Sequence, residues 1–306
     1  MTHLFQMEDK RYSLRWDVTI DEDGQTVKQF LAAKGISKRA LTDIKFKGGQ
    51  ITVNDIEQNV RYPLRVGEQV SVFFPIEPIN EQLHPENIPL TILFEDEHIL
   101  VIDKPSGMST IPSREHPTGS LANALVYYFL QHHIYSQIHI VTRLDRETSG
   151  IVLVAKHRYA HHLLNEMQKR FELKRTYEAF VTGNWLFGHG RINKPIGRKD
   201  DSIIEREVRA DGQAAVTHFR LLQQYKEFAH LQINLETGRT HQIRVHMCDC
   251  NHPLLGDDLY GGETVLIHRV ALHCCTLMFA HPLTNEEMKF HCGLPKDMHA
   301  LLQENE

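Results

Sequence analysis

The sequence predicts an α+β protein, with a mixed, largely antiparallel domain behind a small α/β unit. Three observations carry this expectation. Strand-like and helix-like segments do not alternate regularly, which argues against a doubly wound parallel sheet. The runs AVTHFRLL (215–222) and AHLQINLE (229–236) read as an antiparallel pair around a short turn. Pro75, Pro78, Pro85 and Pro89 punctuate a polar stretch that reads as a linker. The expected division is a first unit at 1–75, a linker at 76–90 and a larger domain at 91–306.

Within the first unit, YSLRWDVTI (12–20) alternates, placing Tyr12, Leu14, Trp16, Val18 and Ile20 on one face of a half-buried strand. Thr26 is the expected N-cap of a helix carrying Val27, Phe30 and Leu31, with Gly35 ending it. Ser37 is the expected cap of a second helix with Ala40, Leu41 and Ile44 turned inward. On that helix Lys38 and Lys45, seven residues apart, share a face. A short β segment follows: ITVND, a charged turn, then VGEQVSVFF.

The larger domain opens with the strands TILF and HILVID around Glu95-Asp96-Glu97. IVLVA (151–155) leads into a helix with Ala160, Leu163, Leu164, Met167 and Phe171 at helical spacing. TYEAFVTG reads as a strand with Tyr177, Ala179 and Val181 on one face. LHCCTLMFAHP reads as another strand, and PKDMHALLQ as a closing helix.

Composition narrows the class. The chain has 306 residues, 41% hydrophobic and 24% charged, as in ordinary globular proteins of more than one domain. No apolar run approaches the roughly 20 residues that span a bilayer, so no membrane partner is expected. The opening MTHLFQMEDKRY lacks a signal peptide's apolar core, and a cytoplasmic location is expected. Five cysteines in so long a chain fit free thiols better than a disulfide framework. The net charge is −5, but charge is segregated. Residues 34–47 carry Lys34, Lys38, Arg39, Lys45 and Lys47 against Asp43, while 77–97 carry six acids and no Lys or Arg. Such segregation can build a binding face.

Two motifs point to chemistry. VTRLDRETSG (141–150) sets one carboxylate, Asp145, between Arg143 and Arg146, in a polar segment flanked by apolar runs. A partly buried carboxylate there needs a partner. TGRTHQIRVH (237–246) supplies candidates: Arg239, His241, Gln242, Arg244 and His246, without one acid. It reads as a helix start with Thr240 as N-cap, and such a start favours phosphate. Arg244 beside Asp145 would hold that carboxylate ionised. Cys248 and Cys250 near His246 and His252 invite a zinc reading, but the spacing is C-x-C rather than C-x₂-C, and no metal is expected. Lys104, in DKPSG, reads equally as a turn residue or a support for the site.

These motifs, with DKPSGM (103–108), KRTYEAFVTG (174–183), HPLLGDDLYGG (252–262) and ALHCCTLMFAHP (271–282), resemble the RluA-type RNA pseudouridine synthases over roughly residues 91–302. The segment from TVKQFLAAKGISKRAL through RVGEQVSVFF resembles an S4-type RNA-binding domain. The resemblance implies isomerisation of uridine to pseudouridine within structured RNA, ribosomal more than transfer RNA, needing no cofactor; a monomer is expected. It implies Asp145 as the catalytic aspartate, Arg244 as its ion-pair partner and Tyr177 as the active-site tyrosine against the base. Arg143 matches the arginine that helps displace or replace the flipped nucleotide. RNA contacts are expected from Arg143, Lys38, Arg39, Lys45, Arg239 and His241. Base flipping is required, because a stacked uracil hides its glycosidic bond. The family usually has His where this chain has Thr142, in the pattern His-Arg-Leu-Asp. That departure leaves open a second reading, a catalytically silent RNA-binding or ribosome-assembly factor. A base-removing glycosylase is a third, though a glycosidase normally wants a second carboxylic acid.

Overall fold

The computed structural model describes residues 11–77, 80, 82–114 and 116–305; residues 1–10 and Pro78 lie outside the described residues. In chain order the strands of the first unit are β1 (Ser13–Asp17), β2 (Gln50–Val53), β3 (Ile56–Glu57) and β4 (Gln69–Phe73), with helices α1 (Val27–Ala33) and α2 (Lys38–Phe46). They form an antiparallel sheet in the order β1-β4-β2-β3. Thr26 caps α1, accepting from the Gln29 amide, and Ser37 caps α2, accepting from the Ala40 amide, as the sequence predicts. Strand β1 is shorter than its alternation suggested: Ile20 lies in a 3₁₀ turn and is 73% exposed. The turn forms because Thr19 and Glu22 close a capping box there, which competes with the extended chain.

The remaining elements are β5 (Thr91–Glu95), β6 (Ile99–Lys104), α3 (Leu121–Gln131), β7 (His139–Ile140), β8 (Ser149–Ala155), α4 (Arg158–Lys169), β9 (Lys174–Thr182), β10 (His189–Asn193), β11 (Ile196–Arg198), β12 (Arg206–Val208), β13 (Val216–Gln224), β14 (Phe228–Leu235), α5 (Gln242–Asp249), β15 (Leu272–Ala280), β16 (Glu287–His291) and α6 (Lys296–Asn305). A long sheet runs β10-β13-β14-β9-β15-β8-β6-β5, with β16 beside β15 and β7 beside β8; β11 and β12 form a separate hairpin. Among the described residues the β8–β15 pair is parallel and the other pairings are antiparallel. The fold is therefore the mixed, largely antiparallel α+β class expected.

Apolar side chains cover both faces of this sheet. Tyr177, Ala179 and Val181 of β9 enter the main core with the β6 and β8 runs, while Phe180 packs on the other face with Phe228 and Met298 of α6. Gly150 lets the parallel pair close. Its φ is +112°, and a Cβ there would lie 2.3 Å from the Cys274 carbonyl oxygen. Phe171 does not belong to α4, which ends at Lys169; it is 58% exposed with φ +59°. The backbone reverses there after the last helical turn, so the apolar spacing ran two residues past the helix.

The first unit docks on the start of α4. Tyr159 enters the core of the first unit, and Arg158 Nη1 meets the buried Asp43 carboxylate at 2.6 Å. The Tyr159 hydroxyl donates to the Lys34 carbonyl. Within 75–90, Glu77 accepts the Arg158 amide and pairs with His139 at 2.7 Å, and Asn123 of α3 donates to the His84 carbonyl.

His157 lies at this junction and makes stability depend on pH. Its Nδ1 accepts the Ala160 amide and caps α4, so its proton sits on Nε2, 3.1 Å from His98 Nδ1. Tyr12 stacks on the ring at 3.6 Å between centroids. Burial pushes its pKa from 6.5 down to about 3. The unfolded chain takes up this proton near the ordinary value, whereas the folded one resists it. The contribution is therefore fully present above the unfolded value and lost as pH falls towards the folded one. Urea unfolding at about pH 7 and about pH 4 is expected to differ by on the order of 3 kcal/mol from this group. His157→Asn, which can cap a helix without titrating, should flatten that part of the profile.

Candidate active site

Asp145 sits in the loop joining β7 to β8, and backbone bonds fix its position. The Thr148 amide donates to the Asp145 carbonyl at 3.2 Å, and the Thr110 hydroxyl brackets Leu144, donating to its carbonyl at 2.6 Å and accepting its amide at 3.2 Å. Ser106 donates to the Glu147 carbonyl, and the Gly107 amide to that of Arg146. Lys104 is completely buried; its Nζ donates to the carbonyls of Pro105 and Met108 at 2.8 Å and of Arg146 at 3.3 Å. Burial lowers its pKa to about 8. Of the two sequence readings of Lys104, the structure gives the support: DKPSGM is a clamp on the Asp145 loop.

Thr142 is buried at the foot of the loop. Its hydroxyl accepts the Leu153 amide at 2.9 Å, so this side chain braces β8.

The second loop, 236–241, joins β14 to α5. The N-cap of α5 is His241, not Thr240, and it has the left-handed φ of +57°. Gln242 takes over the capping chemistry: its Oε1 accepts the Arg239 amide at 3.0 Å and the Thr237 hydroxyl at 2.7 Å, while its Nε2 donates to Val216 and Thr217. His246 is fully buried between Thr217 and the Lys194 carbonyl. Two of the five candidate partners, Gln242 and His246, thus hold the loop from inside.

The two loops meet over β9. Arg244 Nη1 lies 3.6 Å from Asp145 Oδ2, and His241 Nε2 lies 3.9 Å from the same oxygen. Asp145 keeps about a third of its side chain exposed. Arg244, however, has a closer partner that sequence reasoning passed over. Its Nε and Nη2 both donate to Asp257 at 2.7 Å, and Asp257 is fully buried. Burial works against the Arg244 charge, and the Asp257 bonds together with Asp145 offset it, leaving the guanidinium's pKa raised. The guanidinium also lies over the Tyr260 ring at 5.0 Å. Asp257 and Tyr260 both belong to HPLLGDDLYGG, whose acid followed by an aromatic was the available signal. Gly256 places them: its φ is +73°, and a Cβ there would overlap the Arg269 carbonyl.

Tyr177 lies on β9 opposite Ile233 and Cys274 and is 3% exposed, its hydroxyl accepting from Arg175 Nη1 at 3.0 Å. Burial raises its pKa well above the ordinary tyrosine value, so it stands as a neutral phenol. Asp145, Tyr177, Arg143, Arg175, Arg239, His241 and Arg244 line one cavity, and a groove continuing from it is walled by Arg143, Arg146, Arg175 and Arg239. Arg143 is exposed; Arg239 is exposed and anchored by a bond from Nε to the Ala214 carbonyl at 3.0 Å. Lys38, Arg39 and Lys45 are exposed on α2 and do not line this cavity; Lys45 Nζ lies over the Phe46 ring at 4.7 Å. Among the described residues no three His, Cys, Asp or Glu side chains are grouped as metal ligands, and no helix is long and apolar enough to cross a membrane.

A carboxylate held by a clamped loop and steadied by a guanidinium opens, beside a tyrosine, into an arginine-walled groove suited to a polyanion, and the comparisons with known proteins give the class: an isomerase acting on RNA. The chain belongs to the RluA-type RNA pseudouridine synthase family: the family model described as RNA pseudouridylate synthase matches residues 98–249. It is 51% identical to an uncharacterized RNA pseudouridine synthase of Bacillus subtilis over 91% of this chain and 98% of that relative. It is 39% identical to the ribosomal large subunit pseudouridine synthase D of Yersinia pestis over 77% of this chain and 76% of that one. Among solved structures, human RNA pseudouridylate synthase domain containing 4 shares the fold, with a TM-score of 0.57 and 22% identity over 70% of this chain and 92% of that chain.

Proposed function

We propose that this protein isomerises specific uridines of ribosomal RNA to pseudouridine, acting as a cytoplasmic monomer. The observation that carries the assignment of roles is the convergence of Arg244 and His241 on Asp145 Oδ2. Both donors approach one oxygen, which leaves Oδ1 to face the nucleoside. The glycosidic C1′–N1 bond breaks, the freed uracil turns, and C1′ rejoins at C5, which then loses its proton while N1 takes one up. Asp145 assists at the sugar, by attack on C1′ or by removing the C2′ proton. No redox step and no external energy source enter this balance, so the reaction asks for no cofactor.

Tyr177, held as a phenol, supports a wall against the uracil better than a phenolate base. Arg143, exposed and lining both cavity and groove, suits the place vacated by the flipped nucleotide. Arg239 adds a phosphate contact, and His241 a contact at the reacting nucleotide. Residues 1–75 serve as an S4-like RNA-binding domain, with Lys38, Arg39 and Lys45 of α2 on phosphates, 76–90 as the linker and 91–306 as the catalytic domain.

Ribosomal RNA is favoured over transfer RNA by the relative named as a ribosomal large subunit enzyme and by the accessory basic helix. Pseudouridine mapping in total RNA from cells with and without this gene tests the proposal. The expected result is loss of one or a few positions in ribosomal RNA. Loss confined to transfer RNA would overturn the substrate. No loss anywhere would favour the catalytically silent RNA-binding factor.

A further inference from the structure

We infer that Tyr260 is a positioning residue for the isomerisation: its hydroxyl fixes His241 as the tautomer whose proton is on Nε2, facing Asp145. The inference rests on Asp145 being the reacting carboxylate.

The hydrogen bonds set the direction. The backbone amide of Arg206, on β12, lies 2.9 Å from the Tyr260 oxygen, and an amide N–H can only donate. One lone pair of the phenol oxygen is thereby taken. His241 Nδ1 lies 2.8 Å from the same oxygen; the Arg206 amide can only donate, so among the described contacts of the hydroxyl Nδ1 is the acceptor available to the phenol's hydrogen, and we assign the hydrogen to that bond. A neutral imidazole that accepts at Nδ1 carries its hydrogen on Nε2. That atom lies 3.9 Å from Asp145 Oδ2, the oxygen Arg244 approaches at 3.6 Å.

The backbone holds the ring in this attitude. His241 has a φ of +57°, a conformation that side chains other than glycine rarely adopt, and its ring stands edge-on to Tyr260, 83° between planes. Burial lowers the His241 pKa, which keeps the ring neutral and its tautomer meaningful. At 3.9 Å the contact is longer than a hydrogen bond, and catalytic bonds commonly tighten when substrate excludes water. The opposite tautomer would turn a lone pair towards the carboxylate and push Oδ2 away. Tyr260 thus acts through His241, and the hairpin β11–β12 takes part through one amide. Tyr260 itself does not line the cavity or the groove.

Tyr260→Phe removes the hydroxyl alone, since phenylalanine keeps the ring beneath Arg244. The expected result is a kcat lowered about tenfold with KM for RNA within about twofold. Imidazole ¹⁵N shifts, with His241 assigned by His241→Gln, should show the Nε2-protonated form in the parent and a shift towards the Nδ1-protonated form in Tyr260→Phe. His241→Gln offers an amide N–H at the Nε2 position and has no tautomers. It should retain more turnover than His241→Ala, and adding Tyr260→Phe to it should cost little more. An Nδ1-protonated parent, or an equal cost of Tyr260→Phe in both backgrounds, would overturn the inference. Asp145→Asn that still releases tritium from C5-labelled RNA would instead sink the assignment beneath it.

Discussion

Asp145→Asn is expected to abolish release of tritium from RNA labelled at uridine C5, by roughly ten-thousand-fold or more, in a protein that folds normally. The substitution keeps shape and removes charge. The loop does not depend on the carboxylate for its course, because Lys104, Ser106, Thr110 and the Gly107 amide bind its backbone. The side chain is partly exposed, so an amide there is readily solvated. Stability should change by less than about 1 kcal/mol. Loss of activity together with an unchanged melting curve is therefore the expected pair of results. Undiminished release would end the assignment of Asp145, because no neutral amide can act as nucleophile or base at the sugar.

The second large effect is expected at Asp257. Arg244 and Asp257 are 7% and 0% exposed and share two bonds of 2.7 Å. Asp257→Ala strands a buried guanidinium, which typically costs about 3–5 kcal/mol. Arg244 would then be drawn from its present distance towards Asp145 or towards water, and turnover should fall together with stability. The double variant Asp257→Leu, Arg244→Met separates the two effects. Replacing a buried pair with apolar groups of similar volume is often close to neutral, so denaturant stability should largely return while activity stays lost. Activity returning along with stability would show that the guanidinium at Asp145 contributes nothing to turnover.

Asp145, Tyr177 and Arg244 line one cavity, but the reason Arg244 stays in place does not lie in either motif that suggested it. The partner is thirteen residues along the chain from Arg244, in a segment that reads locally as a glycine-bounded turn. Likewise Lys104 gave no sign of being buried: a lysine between Asp103 and Pro105 is locally indistinguishable from one on a surface turn. Its three carbonyl acceptors come from its own turn and from a residue forty-two positions away. Thr240 was a sound local choice for an N-cap, displaced because Gln242 could reach back to the Arg239 amide. Phe171 continued the helical spacing after the backbone had already reversed.

Periodicity, caps and turn residues are local, and each acts over a few residues whatever the rest of the chain does. By itself, therefore, the sequence determined α1 and α2 with their caps, the course of α4 and α6, most strands, the α+β class and the pair of motifs carrying Asp145 and Arg244, while α3 and the caps of α4 and α5 emerged only in the structure. Which groups are desolvated depends on what lies above and below them in space. Only the tertiary structure could decide that Asp257 holds Arg244, that Lys104 and Thr110 clamp the Asp145 loop, and that Thr142 braces β8. Burial turns a weak surface ion pair into a fixed one, and burial is set by strands brought together from distant parts of the chain.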